Sequence, residues 1–148
     1  MNGVDLGNIS VDTNNFKSIV QFSIENKPPY LTKISVSPDN NRFSYINDKI
    51  LLYKSDENGS DFDVLLFARR DVEEVEIPSH VKRIFPYAFD NCKNLRKVTF
   101  SNDSKLEVID SYSFSYSSVE SIIFPLSILR IEYHSFNYCK KLKNITFH

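Results

Sequence analysis

Five side chains of the sequence could supply a nucleophile, a general base or a metal ligand, and they are Cys92, Cys139, His80, His134 and His148. None of the histidines stands in an H-E-x-x-H or similar arrangement, and the two cysteines lack the paired histidines that a zinc site needs. With three glycines in the chain, there is no phosphate-cradling glycine loop, G-x-S-x-G elbow or paired-carboxylate motif. The sequence therefore predicts no catalytic residue, no metal and no cofactor, and gives no support to an enzyme.

The net charge and the hydropathy of the chain limit the classes of partner that it is expected to bind. The chain has 18 Lys and Arg against 19 Asp and Glu, a formal net charge of -1, so it has no net field that attracts nucleic acid. It has no run of 18 apolar residues, and the stretch 1–10 lacks the basic start and apolar core of a signal peptide. We expect no nucleic-acid partner and no membrane span. Localisation stays open, because a fragment of a longer protein would have lost its targeting segments.

Covalent modification is a further chemistry that the sequence suggests. Asn-x-Ser/Thr acceptor sequences begin at Asn8, Asn58, Asn102 and Asn144. Asn58 lies in the turn-rich stretch 55–60 and is the most accessible of these. Glycosylation at Asn58 is expected only if a eukaryotic cell exports the protein.

The elements that must position these residues repeat along the C-terminal half of the chain. Val72, Leu95, Val119 and Leu142 each open an L-x-x-I-x-I segment, at intervals of 23, 24 and 23 residues. A V-x-x-I pattern follows at 81–84, 106–109 and 128–131. An A-F-x-x-C pattern then closes each unit at 88–92, 113–117 and 135–139, with serine in place of the cysteine in the middle unit. This regular period indicates a solenoid of stacked repeats.

Stacking turns each inward position into a ladder of similar side chains, because one six-residue strand cannot bury its apolar face alone. The predicted ladders are Val72, Leu95, Val119 and Leu142; Val75, Val98, Ile122 and Ile145; and Ile77, Phe100, Phe124 and Phe147. A predicted phenylalanine spine, Phe89, Phe114 and Phe136, packs beside the small residues Ala88, Ser113 and Ser135. Partial burial against this spine is the favoured role of Tyr87, Tyr112, Tyr116, Tyr133 and Tyr138, ahead of a role in an interface.

The same stacking separates the two cysteines. Cys92 and Cys139 are 47 residues apart, which places them two repeats apart in the solenoid. Strands about 4.8 Å apart then put them roughly 10 Å from each other, beyond the reach of about 7 Å between α-carbons that a disulfide permits. We expect both to be reduced core residues.

The outward strand positions form the surface on which solenoids usually bind. They are Glu74, Glu76, Lys97, Thr99, Ser121, Ile123, Asn144 and Thr146. Glu74 beside Lys97 fits a contact to a partner, although a cross-strand charge pair is the favoured explanation. Ile123 is an outward aliphatic residue, yet single exposed apolar residues are normal.

These motifs resemble the BspA-like leucine-rich repeats, whose unit reads L-x-x-I-x-I-P-x-S-V-x-x-I-x-x-x-A-F-x-x-C. The resemblance covers regular repeats at 72–94, 95–118 and 119–141 and the opening strand of a further repeat at 142–148. It implies a single leucine-rich-repeat domain over 1–148, mainly β, with one parallel strand per repeat of about 23 residues and short helical or irregular returning segments. It also implies a surface antigen of bacterial or parasitic-protist type.

The N-terminal half departs from the regular unit. Residues 31–36 form another L-x-x-I-x-I segment, and residues 9–19, including Phe16 and Ile19, look like a degenerate copy of 34–46. Residues 49–67 contain two apolar runs around a turn-rich centre, which predicts an inserted β-hairpin. We therefore expect degenerate N-terminal repeats over 9–71.

The resemblance implies a non-catalytic scaffold that binds protein, as a surface or secreted adhesion or recognition module. Its expected partner is a host or matrix protein. The alternative is a structural solenoid that associates with further copies of itself. No polar capping repeat follows the strand at 142–148, which favours either truncation from a longer protein or end-to-end association of copies.

Overall fold

A computed structural model of the chain describes residues 8–11, as a backbone path, and residues 32–148. The predicted degenerate copy around Phe16 and Ile19 lies outside these residues. The described residues form β-strands and turns without a helix, so the returning segments consist of short strands and turns and are not helical. The strands are β1 (Asn8–Val11), β2 (Lys33–Val36), β3 (Phe43–Ile46), β4 (Ile50–Tyr53), β5 (Val64–Ala68), β6 (Glu74–Ile77), β7 (Arg83–Ile84), β8 (Lys97–Phe100), β9 (Val108–Ile109), β10 (Ser121–Phe124), β11 (Arg130–Ile131) and β12 (Asn144–Phe147).

A parallel sheet of β6, β8, β10 and β12 confirms the predicted solenoid and its register. Val75 pairs with Val98, Lys97 pairs with Ser121, and Ile122 pairs with Ile145. These are the partners that the intervals of the repeat predict. At the other end of the described chain, β1 pairs in parallel with β2, with Ile9 opposite Ile34.

A second sheet runs along the returning side in the order β11, β9, β7, β5, β4 and β3. β11, β9, β7 and β5 pair in parallel, whereas β5, β4 and β3 form an antiparallel meander. The predicted hairpin is therefore more than an insertion between units. Its second strand, β5, takes the place of a returning strand, because Leu65 pairs with Ile84 as Ile84 pairs with Ile109.

The meander separates two apolar cores, which explains why β4 and β5 are buried along their whole length. Ile50, Leu52 and Leu65 face the main core of the solenoid. Leu51 and Leu66 face a smaller core that also contains Ile34 and Phe43. A strand buried on both faces has no solvated side, so its sequence is a continuous apolar run rather than an alternation.

The predicted ladders fill the main core. Val72, Val75, Ile77 and their counterparts in the next two repeats are buried or half-buried, and Leu142 packs against them. The members on β12 differ, because no described strand stacks on its outer edge. Ile145 is 42% exposed and Phe147 is 60% exposed.

The phenylalanine spine is confirmed as a column of parallel rings. The ring centroids of Phe89 and Phe114 are 4.7 Å apart, and those of Phe114 and Phe136 are 5.0 Å apart. Ser113 and Ser135 are buried beside the column, and both hydroxyls donate to the carbonyl of Asp110. A small side chain here lets the rings approach, and its hydroxyl satisfies a backbone group that burial removes from water.

The structure corrects the predicted burial of the tyrosines. Tyr87 and Tyr112 are half-buried as expected, but Tyr116, Tyr133 and Tyr138 are 42%, 67% and 59% exposed. The exposed rings pack on the rings of neighbouring turns instead of on the phenylalanine column, and the centroids of Tyr116 and Tyr138 are 4.8 Å apart. Both residues have a positive φ, of 57° and 54°. Such backbone costs about 1 to 2 kcal/mol outside glycine, which ring stacking worth about 0.5 to 1.5 kcal/mol partly offsets.

The two cysteines are free thiols in different environments. Cys92 is buried in the main core, and burial raises its pKa from 9.0 to about 11 despite the opposing Arg70 guanidinium. Cys139 is half-buried, and its Sγ lies 3.5 Å from Ser117 Oγ. Burial raises the pKa of Cys139 as well, against the hydrogen bond with Ser117. The contribution of the neutral Cys92 thiol to stability is therefore complete below pH 9 and is lost as the pH rises through about 11.

We expect a thiol reagent at pH 8 to modify Cys139 in the folded protein about tenfold faster than Cys92, because the thiolate is the reactive form and Cys92 is enclosed. Quenched labelling followed by peptide mass spectrometry measures the two rates. In denaturant the rates should converge, which controls for intrinsic reactivity. Equal rates in the folded protein would contradict the burial of Cys92.

Candidate functional site

The outward side chains of β6, β8, β10 and β12 form one continuous surface, which we call the strand face. Alternation along each strand sends every second side chain to this side. All of its members are exposed, and they are Glu74, Glu76, Lys97, Thr99, Ser121, Ile123, Asn144 and Thr146. The sheet register aligns them in two columns, one that runs from Glu74 to Asn144 and one that runs from Glu76 to Thr146.

Charge is concentrated at one end of the strand face. Glu74 is the register partner of Lys97, but their side chains form no ion pair in the described part of the chain. The cross-strand pair that the sequence favoured is therefore not formed. Both charges are directed to solvent, where they can contact a partner.

Ile123 is the apolar centre of the strand face. Its side chain is 52% exposed and lies opposite Thr146 across the sheet. Polar side chains surround it on the same face, among them Ser121 and Thr99. An apolar residue within a polar rim is the arrangement that is typical of the core of a protein interface.

A second charged column borders the strand face, and the sequence analysis missed it. Glu73, Arg96, Glu120 and Lys143 are exposed and alternate in sign from turn to turn. Backbone hydrogen bonds connect them, from Arg96 N to Glu73 O at 2.8 Å and from Lys143 N to Glu120 O at 2.9 Å. The signal was available in the sequence, because each of these residues follows the first ladder residue of its unit.

A cleft of about 450 Å³ lies where the meander meets the strand face. Arg69 contacts carboxylate oxygens of Asp48 and Asp71 at 2.6 Å each. The hydrogen bond from Arg69 holds the pKa of Asp71 below its usual value. Lys49 Nζ donates to the carbonyl of Glu74 at 2.8 Å. The basic groups of this cleft are therefore engaged within the fold, and the cleft extends the acidic end of the strand face.

The residues considered for catalysis or modification lie apart from one another. His80 is half-buried, His134 stacks on Tyr112 with centroids 5.2 Å apart, and His148 is exposed. Within residues 8–11 and 32–148, no group of three His, Cys, Asp or Glu side chains is arranged to hold a metal ion. Over the same residues, no helix is long and apolar enough to cross a membrane. Asn58 is exposed in the loop between β4 and β5.

The fold is shared with solved structures of longer proteins. A leucine-rich repeat protein from Eubacterium ventriosum superposes with a TM-score of 0.69 at 22% identity, over 96% of this chain and 36% of that one. The pneumococcal vaccine antigen PcpA superposes with a TM-score of 0.58 at 14% identity, over 95% of this chain and 38% of that one. The chain thus spans little more than a third of either relative. No curated protein matches its sequence.

A family model described as a BspA type leucine rich repeat region (6 copies) matches residues 62–148. The matched segment contains all of the parallel sheet formed by β6, β8, β10 and β12, together with the phenylalanine column. The match covers more than half of the sequence. The chain therefore belongs to the BspA-type leucine-rich-repeat family.

Proposed function

We propose that the chain is a non-catalytic recognition module that binds a partner protein through the strand face. Leucine-rich repeats are protein-interaction scaffolds, because stacking creates an extended surface of repeated side chains. The observation that supports the proposal is the alignment of eight exposed side chains, in register, with Ile123 among them at 52% exposure. No side chain of this set is needed for the core, so their identities are free to serve binding.

We further propose that the module acts in adhesion, as a surface or secreted protein whose partner is a host or matrix protein. The family resemblance supports this, and the description of PcpA as a vaccine antigen is compatible with an exposed setting. Exposed Asn58 is the proposed glycan acceptor where a eukaryotic cell exports the chain.

The test replaces three strand-face residues, Lys97→Glu, Ser121→Arg and Ile123→Lys. Beads that carry the full chain are added to cultured epithelial cells and to immobilised extracellular-matrix extract. We expect the triple variant to lower adhesion about tenfold or more, since about 1.4 kcal/mol corresponds to tenfold and the few dominant residues near the centre of an interface cost about 2 kcal/mol or more each.

The matched control makes the same changes of charge off the strand face, at the exposed residues Lys105→Glu, Asn102→Arg and Leu129→Lys. The control should retain adhesion. Equal loss in both variants, or no adhesion by the original chain, would contradict the proposal.

Self-association is the second candidate function. Exposed apolar side chains lie at the end of the described array, with Phe147 of β12 at 60% exposure, and with Leu126 at 82% and Leu129 at 78% in the loop between β10 and β11. Such a surface can stack on another copy of the chain. Light scattering of the original chain and the strand-face variant separates the two functions. A concentration-dependent oligomer that the variant preserves, together with absent adhesion, would favour self-association.

A further inference from the structure

A second cleft, of about 370 Å³, lies on the loops that lead from the phenylalanine column into the parallel strands. Its walls carry three lysines, two tyrosines and two serines, which are Lys93, Lys140, Lys141, Tyr116, Tyr138, Ser117 and Ser118. We call it the lysine–tyrosine cleft. It is separate from the strand face and does not depend on the function proposed for that face.

The repeat builds this cleft from equivalent positions on successive turns. Lys93 N donates to Asn91 O at 2.8 Å, and Lys140 N donates to Tyr138 O at 2.9 Å, so the two lysines occupy the same place in their loops. They are two turns apart, or roughly 10 Å at about 4.8 Å for each turn. The cleft is therefore elongated along the solenoid axis and suits an extended ligand.

Positive charge in the cleft is not neutralised by the protein. No aspartate or glutamate lines it, and none of the three ammonium groups forms an ion pair within the described part of the chain. Lys93 Nζ instead lies 5.0 Å from the ring centroid of Tyr116. Asp90, in the same loop, is buried and accepts a hydrogen bond from Asn91. This contrasts with the cleft at the meander, where two carboxylates hold Arg69.

The tyrosines add an apolar and hydrogen-bonding surface between the lysines. The rings of Tyr116 and Tyr138 are stacked with an interplanar angle of 12°, and both are exposed. A tyrosine has an aromatic ring that packs against C–H groups and a hydroxyl that forms hydrogen bonds. One tyrosine side chain can therefore contact both the C–H groups and the hydroxyl groups of a sugar. Ser118, half-buried between the two lysine positions, contributes another hydroxyl.

We propose that the lysine–tyrosine cleft binds a sulfated glycan. An extended ligand with permanent negative charges matches the spaced lysines, and sugar rings with their hydroxyls match the tyrosines and the serine. Lysine is a point charge that pairs with sulfate and carboxylate alike, so the three lysines attract an anion without selecting between these two groups. The exposed rings of Tyr116 and Tyr138 favour a sugar over an acidic peptide, because they offer apolar surface to the C–H groups of a sugar ring.

The test titrates the full chain with a size-defined heparin tetrasaccharide and with the same tetrasaccharide after desulfation, by isothermal calorimetry. We expect binding of the sulfated form, at least tenfold weaker binding of the desulfated form, and an affinity that falls steeply with salt concentration. A poly-glutamate peptide of equal charge should bind at least tenfold more weakly than the sulfated sugar.

Two variants locate the site. Lys93→Gln, Lys140→Gln and Lys141→Gln together should lower the affinity at least tenfold. The control Lys33→Gln, Lys82→Gln and Lys105→Gln removes the same charge at exposed positions outside the cleft and the strand face, and should change the affinity less than twofold. Tyr138→Asn, which tolerates the positive φ at this position, should lower the affinity severalfold with the charge unchanged.

Three results would overturn the proposal. They are absence of heparin binding by the original chain, equal losses in the two lysine triples, and equal affinity for poly-glutamate. The last result would identify a surface for acidic peptides in place of glycans. Circular dichroism and thermal melting of every variant exclude unfolding as the cause of lost binding.

Discussion

Phe114→Ala is expected to lower the free energy of unfolding by about 3 to 5 kcal/mol. Phe114 is fully buried at the centre of the phenylalanine column, with ring centroids 4.7 Å and 5.0 Å away on either side. Truncation removes its buried area and leaves a cavity in contact with two neighbouring turns. A solenoid depends on contacts between adjacent turns, so the loss at a central turn affects the stacking on both sides. For a domain stabilised by about 5 to 15 kcal/mol, this is a large fraction.

Urea denaturation followed by tyrosine fluorescence and circular dichroism measures this loss. Phe147→Ala is the matched control, because the same truncation at a ring that is 60% exposed should cost less than about 1 kcal/mol. A Phe114→Ala protein within 1 kcal/mol of the original would refute the role assigned to the column.

Arg70→Met should destabilise the fold by about 2 to 3 kcal/mol, through lost charge-assisted hydrogen bonds. Arg70 is 5% exposed, and its guanidinium donates to the carbonyls of Ala88 at 2.7 Å, Tyr87 at 3.1 Å and Ala68 at 3.3 Å. The carbonyls of Ala88 and Tyr87 also accept backbone N–H groups. They therefore keep one donor each in the variant, which is why we expect a smaller effect than at Phe114.

The neighbouring arginine provides the control for Arg70. Arg69→Met removes ion pairs to carboxylates of which one is 77% exposed and the other 41% exposed, so it should cost less than about 1 kcal/mol. Arg70→Lys keeps the charge but cannot reach all three carbonyls, and an intermediate loss is expected. Thermal and urea denaturation on all three proteins give the comparison, and equal losses at Arg69 and Arg70 would show that burial of Arg70 is unimportant.

Most of the solenoid could be predicted from the sequence, because its determinants are local and repeated. Alternation identified Val75 and Val98 as inward and Glu74 and Lys97 as outward, and the intervals between units defined their register. The eight residues of the strand face were placed correctly at the surface for the same reason. Their use in binding stays a proposal, because exposure alone does not identify a partner.

The meander was predicted only in part. Two apolar runs around a turn predicted a hairpin. They did not predict that β5 would pair with β7 and continue the second sheet. Pairing between distant strands depends on which edge is free in the folded chain.

The structural role of Arg70 was not predicted, because an arginine side chain is normally exposed. Two neighbouring turns of the folded chain bring the carbonyls of Ala88 and Ala68 to its guanidinium, and the sequence alone does not show that contact.

The repeat chemistry by itself determined that this chain is a leucine-rich-repeat solenoid and which strand residues face outward, because a period of about 23 residues and the alternation along a strand are encoded locally. Only the tertiary structure decided that Glu74 and Lys97 form no ion pair, although they are register partners. It also decided that three lysines line one cleft with two tyrosines, namely Lys93, Lys140, Lys141, Tyr116 and Tyr138. Side chains in irregular loops follow no short period, so their convergence arises from the stacking of one turn on the next.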